Sequence, residues 1–234
     1  MQRPLVERTA DAIIKFITSE NLTAGDKLPN EYELAKTLDV GRSTIREAVR
    51  SLVSRNILEV RQGSGTYVSE NTGISDDPLG FAFVEDTLKL TEDLFGLRYV
   101  LEPEVAMLAA YNRTEEQLEY LEQVSRKIEE AMESPEGELH FELDIEFHSI
   151  IADMSGNIAM GHLIPVINQS ITLYNSYYTN DQSKAETIQH HREIVEGIRN
   201  SNPYQAKYAM QTHIANNQRQ LEVNRQNKES GEEK

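Results

Sequence analysis

Two groups of side chains in this 234-residue chain have the types and spacing that chemistry needs. One is Asp144-Ile-Glu-Phe-His148. Side chains four residues apart on a helix share a face, with bases about 6 Å apart along the axis. Such a pair suits two ligands of one metal ion, or equally a plain ion pair. His191 and His213 follow on two later helical segments. Three neutral imidazoles and a carboxylate suit Zn²⁺, Ni²⁺, Mn²⁺ or Fe²⁺ without ranking them. His140, one turn before Asp144, is a spare. His190, about 100° round the helix from its neighbour, competes with His191 for the same place. Arg98 shares its segment with Leu90, Leu94, Leu97, Leu101 and Val105. It either reaches an organic acid inside a helical core or pairs with Glu102.

The other group is a stripe of arginines. Arg42, Arg46 and Arg50 are spaced i, i+4, i+8 and stand apart from the apolar face of Ile45, Ala48, Val49 and Leu52. Many such stripes are only solvated helix surface. This one begins at the N-terminal end of the second of two closely joined helices, where a recognition helix offers side chains to base edges. Arginine binds guanine O6 and N7 with two parallel donors, and Ser43 and Thr44 are placed to donate to phosphates.

These residues need elements to hold them. Val6, Ala10, Ile13, Ile14 and Ile17 predict an amphipathic helix from Leu5 to about Ser19. Asn30 is placed to cap a helix with Leu34, Ala35 and Leu38 on its inner face. After Asp39-Val40-Gly41 a third helix opens at Arg42 or Ser43 and runs to about Arg55. Leu58 to Val68 reads as two short strands around Gly63-Ser64-Gly65. A hairpin after a basic helix makes a wing, with Gln62 and Gly63 at a tip that approaches a groove.

Beyond a polar linker, residues 71–86, no strand pattern appears. Apolar spacing predicts helices near Thr87–Tyr111, Glu115–Met132, Gly137–Met154, Ala159–Tyr177, Lys184–Arg199 and Pro203–Val223, with a short one at Leu79–Phe83. The expected architecture is mainly α: a winged helix-turn-helix over residues 1–70, an antiparallel helical bundle over 87–224, and a frayed polar tail over 225–234.

Composition narrows the classes. The net charge is −16, yet residues 1–70 balance ten basic against ten acidic side chains, so residues 71–234 carry all of it. Within Gly41–Arg61 five arginines face only Glu47 and Glu59, a local +3 that suffices for a small footprint on phosphate. The absence of cysteine removes disulfides, thiolate zinc sites and cysteine nucleophiles. No apolar run reaches the roughly 18 residues of a membrane span, and Met1-Gln2-Arg3-Pro4 opens no signal peptide. A cytoplasmic protein is expected.

Three motifs now stand in order: Leu22-Thr-Ala-Gly-Asp-Lys-Leu-Pro-Asn-Glu-Tyr-Glu-Leu-Ala, Val40-Gly-Arg-Ser-Thr-Ile-Arg-Glu-Ala-Val and Gly63-Ser-Gly-Thr-Tyr-Val. Over about residues 5–69 they resemble the winged helix-turn-helix domain of the GntR family of bacterial transcription regulators. The resemblance implies DNA contacts from Arg42 and Arg46, backbone contacts from Ser43 and Thr44, and a wing tip at Gly63. Two positions depart from the pattern: Tyr32 stands where many members have Arg, and Gly41 replaces a common Ser or Thr. Further on, Arg98-Tyr-Val-Leu-Glu-Pro-Glu, Asp144 to His148 with Ser155-Gly-Asn157, His191-Arg-Glu-Ile-Val and Met210-Gln-Thr-His213 are similar to the FCD domain of FadR-type GntR regulators. That likeness spans most of residues 85–222. It implies a divalent metal held by Asp144, His148, His191 and His213, and a small carboxylic acid effector completing its coordination. Gly96 departs from an acidic residue often found two positions before the arginine.

The expected function is a metabolite-responsive repressor. It would bind double-stranded DNA as a homodimer on a pseudo-palindromic operator, because one head has too few contacts for tight specific binding. The alternative is a metal-dependent enzyme with a DNA-binding appendage, but no separate general base and no His-Glu-x-x-His spacing is present.

Overall fold

The computed structural model describes residues 3–69, 78–133, 140–175 and 181–229. The breaks expected at Ser134-Pro135 and Thr179-Asn180, and linker residues 71–77, lie outside them. The chain divides into two compact units, Met1–Ala82 and Phe83–Lys234.

The first unit contains α1 (Leu5–Ser19), α2 (Glu31–Thr37), α3 (Arg42–Val53), β1 (Leu58–Arg61) and β2 (Gly65–Val68). Asn30 caps α2 in a full capping box: its side chain accepts from the Tyr32 and Glu33 amides, and Glu33 accepts in return from the Asn30 amide. The inner face of α3 is the expected one, with Ile45, Ala48, Val49 and Leu52 buried against Ala10, Ile13, Leu34 and Leu58. The leucine, isoleucine and valine side chains among these each contribute roughly 1.5–3 kcal/mol by leaving water, the alanines less. Strands β1 and β2 pair antiparallel, Leu58 opposite Val68 and Arg61 opposite Gly65. Gly63 (φ +72°) and Gly65 (φ +139°) take backbone conformations that other residues resist, so the tight turn depends on them. The wing has a further tie that spacing alone did not show. Asp26 and Leu28 exchange backbone hydrogen bonds with Val68 and Thr66, extending the hairpin into a third short edge.

A 3₁₀ turn, Phe81–Phe83, precedes the helices of the second unit. These are α4 (Thr87–Asn112), α5 (Glu115–Glu133), α6 (His140–Met154), α7 (Ile158–Ile167), α8 (Gln169–Asn175), α9 (Asp181–Arg199) and α10 (Pro203–Glu229). Helix α10 lies along α4 and α9, α5 packs on α6 and α9, and α6 packs on α4. Two expectations need correction. The single helix expected from Ala159 to Tyr177 is two, divided at Asn168, three residues after Pro165 has removed a helix amide. The tail expected from residue 225 is helical through Glu229, where Arg225 Nη1 donates to Glu92 Oε1 of α4 at 2.7 Å. No helix among the described residues is long and apolar enough to cross a membrane.

At one corner α9 and α10 meet backbone to backbone. A Cβ on Gly197 would lie 2.5 Å from the Ala206 nitrogen and 2.8 Å from its Cα. Neither atom can move aside as a flexible side chain does. Gly197→Ala is therefore expected to destabilise the protein by about 1–3 kcal/mol, the usual cost of forced overpacking. Chemical denaturation of the two proteins side by side checks it, and an unchanged midpoint contradicts the close approach.

Candidate metal centre and nucleic-acid interface

The buried polar cluster of the second unit is built from four helices. Helix α6 carries Asp144 and His148 on one inward face, while α9 and α10 bring in His191 and His213. One ligand atom from each of these four buried residues lies within 4.8 Å of the others. Asp144 Oδ1 is 3.2 Å from His191 Nε2 and 3.9 Å from His148 Nε2. The Phe147 ring stacks on His191 with centroids 4.3 Å apart and holds the imidazole plane. Asn217 Nδ2 stands 3.4 Å from His213 Nε2.

The fourth helix is α4. Arg98 and Glu102 are both buried and form an ion pair, Nε donating to Oε1 at 2.6 Å. Glu102 Oε2 also lies 2.5 Å from His148 Nδ1. The contact suits a proton on Nδ1, which leaves Nε2 as the acceptor on the side of Arg98 and Asp144, the arrangement a carboxylate–histidine–metal relay uses. Arg98 Nη2 rests 3.0 Å from the same Nε2, while Nη1 has no hydrogen-bond partner among the described residues. Both readings of Arg98 thus have a foothold: the pair with Glu102 forms, and one donor remains uncommitted inside the bundle. The role of Glu102 toward His148 was not visible in the sequence. Its spacing from Arg98 was, but nothing local tells that a residue 46 positions further on packs against it.

Protonation follows from burial. Burial disfavours charge on His191 and His213 and lowers both, well below the usual range for His213; the Asp144 charge offsets part of this. Burial thus favours the neutral form of both, the form that has a lone pair to give. Burial alone raises the Asp144 carboxyl, but His191, His148 and His213 outweigh it and keep it ionised. At Glu102 burial again works upward, and Arg98 and His148 bring the carboxyl down to about 2.

Metal bonds of roughly 2.0–2.2 Å set neighbouring ligand atoms roughly 3–4 Å apart, which the two Asp144 distances meet; the full set, within 4.8 Å, would draw in slightly around an ion. His191 Nε2 and Asp144 Oδ1, which face each other, make no well-aligned hydrogen bond among the described residues, and His213 Nδ1 is buried without one as well. A divalent cation would satisfy such a donor set. His140 and His190 fall outside it: His140 is buried beside Asp144 on the wall of a small cavity shared with Arg98, Ile171, Thr187 and Asn217, and His190 is half-buried in a surface groove.

In the first unit Arg42, Ser43, Arg46 and Arg50 are exposed on α3, and Gln62 and Gly63 are exposed at the wing tip. Thr44 is half-buried. Gly41 leaves the helix without a side-chain cap, so first-turn amides of α3 remain available to an anion. Tyr67 braces the wing: Arg61 lies over its ring at 4.3 Å and Ser64 Oγ meets its hydroxyl at 2.6 Å.

Comparison with known proteins bears on both units. Residues 5–68 match the gntR family of bacterial regulatory proteins, and residues 93–216 match the FCD domain. The transcriptional regulator LutR of Bacillus subtilis is 31% identical over 211 residues, covering 86% of this chain and 94% of LutR. The chain belongs to the GntR family. A solved structure, Streptococcus agalactiae GntR, is 53% identical with a TM-score of 0.81, covering 92% of this chain and 99% of that one. The transcriptional repressor NanR of Salmonella newport is 26% identical over 229 residues, covering 91% of this chain and 84% of NanR. As a GntR-family member with an FCD domain, this protein is a DNA-binding transcription regulator and not an enzyme.

Proposed function

We propose that this GntR-family regulator is a repressor that senses a small carboxylic acid at a divalent metal in its FCD domain. The carrying observation is the convergence of Asp144, His148, His191 and His213, buried and within 4.8 Å, with Glu102 Oε2 2.5 Å from His148 Nδ1 behind them. A bound ion supplies Lewis-acid coordination for a carboxylate. Arg98, with Nη1 uncommitted, supplies the countercharge beside it. An acid reaching Arg98 would have to widen the small cavity that Arg98 and Asp144 line. DNA is held by Arg42, Arg46 and Arg50 with Ser43 and Thr44 on α3, and by Gln62 and Gly63 on the wing. Two copies of the chain reading a pseudo-palindromic operator supply the affinity that one head lacks. The acid releases the operator by binding one arrangement of the dimer better than the other. NanR, a repressor by name, supports the sign of the response.

Elemental analysis of protein purified without an affinity tag is expected to find about one divalent ion per chain, and His213→Ala is expected to lose most of it. Losing even a group that only supports a ligand typically costs about 10–100-fold in metal affinity, so losing His213 itself should cost at least that. A hydroxy acid such as lactate or gluconate should raise the melting temperature of the loaded protein only. Wild-type protein that stays free of metal after equilibration with Zn²⁺, Ni²⁺, Mn²⁺ and Fe²⁺ would rule the proposal out.

A further inference from the structure

Arg46 on the recognition helix is held from a neighbouring element. Its Nη2 lies 3.2 Å from Glu31 Oε2, and its Nε lies 3.5 Å from Oε1. Glu31 is the first residue of α2, so a carboxylate on one helix grips the side edge of a guanidinium on the next. Its backbone is fixed, because the Asn30–Glu33 capping box brackets it. Arg50 differs: its ion pair is with Glu47 on its own helix, by Nη1 alone at 2.7 Å, which fixes nothing between helices.

Stability does not account for this pair. Both side chains are substantially exposed, 50% for Arg46 and 36% for Glu31, and exposed ion pairs add little. A carboxylate also works against a surface that must meet phosphates. The arrangement of donors gives it a use. A guanidinium has five N–H donors in a planar fork. Glu31 takes the edge formed by Nε and Nη2. The outer edge, Nη1 with the second Nη2 proton, remains open and has the paired donors that match guanine O6 and N7. Without Glu31 the side edge is equally able to take a phosphate, which carries no sequence information.

We propose that Glu31 is a positioning residue for DNA specificity, closing the side edge of Arg46 so that only the base-reading edge is offered. The proposal rests on the reading of Arg46 as a base contact. Its effect is to raise the preference for operator over random DNA rather than to raise affinity outright.

The test uses the full-length protein, an operator duplex selected by it from a random library, and a scrambled duplex of equal length. Fluorescence anisotropy is read between 50 and 200 mM salt. Glu31→Gln keeps the shape of the side chain and lowers the operator-to-scrambled affinity ratio about fivefold, the scale of one exposed ion pair. On scrambled DNA it steepens the slope of log K against log salt by about 0.9, one extra phosphate contact. In the Arg46→Ala background the same substitution changes neither quantity. A ratio that stays within about twofold of wild type on Glu31→Gln, or an equal change with Arg46 absent, overturns the proposal. An Arg46→Ala single variant with an unaltered ratio overturns the base-contact reading beneath it. Equal melting temperatures of wild type and Glu31→Gln exclude a folding defect as the source of any change.

Discussion

Arg42→Ala combined with Arg46→Ala is expected to weaken operator binding by about 30- to 10⁴-fold. A bidentate arginine–guanine pair is worth about 1–3 kcal/mol of discrimination, so two such contacts account for roughly 2–6 kcal/mol. The same double variant loses two cations and weakens binding to random DNA less, because phosphate pairing is spread over the other basic groups. Both side chains are exposed on α3 and neither packs in the core of the first unit, so its melting is expected to stay the same. Operator titration of the double variant checks this. Unaltered operator affinity would show that the guanidinium stripe is only solvated surface. The overall charge of −16 does not argue against the result, since the first seventy residues are neutral and the acidic excess lies beyond them.

The local elements of this protein were legible because their signals are local. Apolar spacing and the Asn30 cap placed α1 to α3, and Gly63 and Gly65 placed the wing turn. The same spacing carried α4 through Pro103, which the helix absorbs in its buried interior. Asp144 and His148 share a face because four residues make about one turn. Reading was weaker wherever a partner came from a distant segment. The extra wing edge at Asp26–Leu28 pairs with residues about forty positions away, and a turn motif gives no hint of it. Arg225 extends α10 because Glu92 on α4 receives it, which composition alone reads as a polar tail. The choice between His190 and His191 turns on which side of α9 faces Asp144. Adjacent residues on a helix differ by about 100°, and only the packed structure shows that His191 faces the cluster.

Glu102→Ala is the variant expected to damage the second unit most. Arg98 is buried, and its main countercharge is the carboxylate 2.6 Å away. Breaking a buried pair by removing one partner typically costs about 3–5 kcal/mol, since the remaining charge keeps its full desolvation penalty. His148 loses its Nδ1 acceptor in the same step. Its tautomer is then no longer fixed, and metal affinity is expected to fall by about 10–100-fold in whatever protein folds. Two further variants separate these effects. Arg98→Met with Glu102→Met removes both charges together, and such replacements are often neutral or stabilising; it should recover most of the stability while leaving metal binding weak. Glu102→Gln retains an acceptor for His148 but surrenders the charge facing Arg98, so it should bind metal better than Glu102→Ala at reduced stability. Denaturant melts and metal titrations of the three variants give the comparison. If the double methionine variant bound metal as tightly as wild type, Glu102 would be a partner of Arg98 alone, and the carboxylate–histidine relay would have no part in holding the ion.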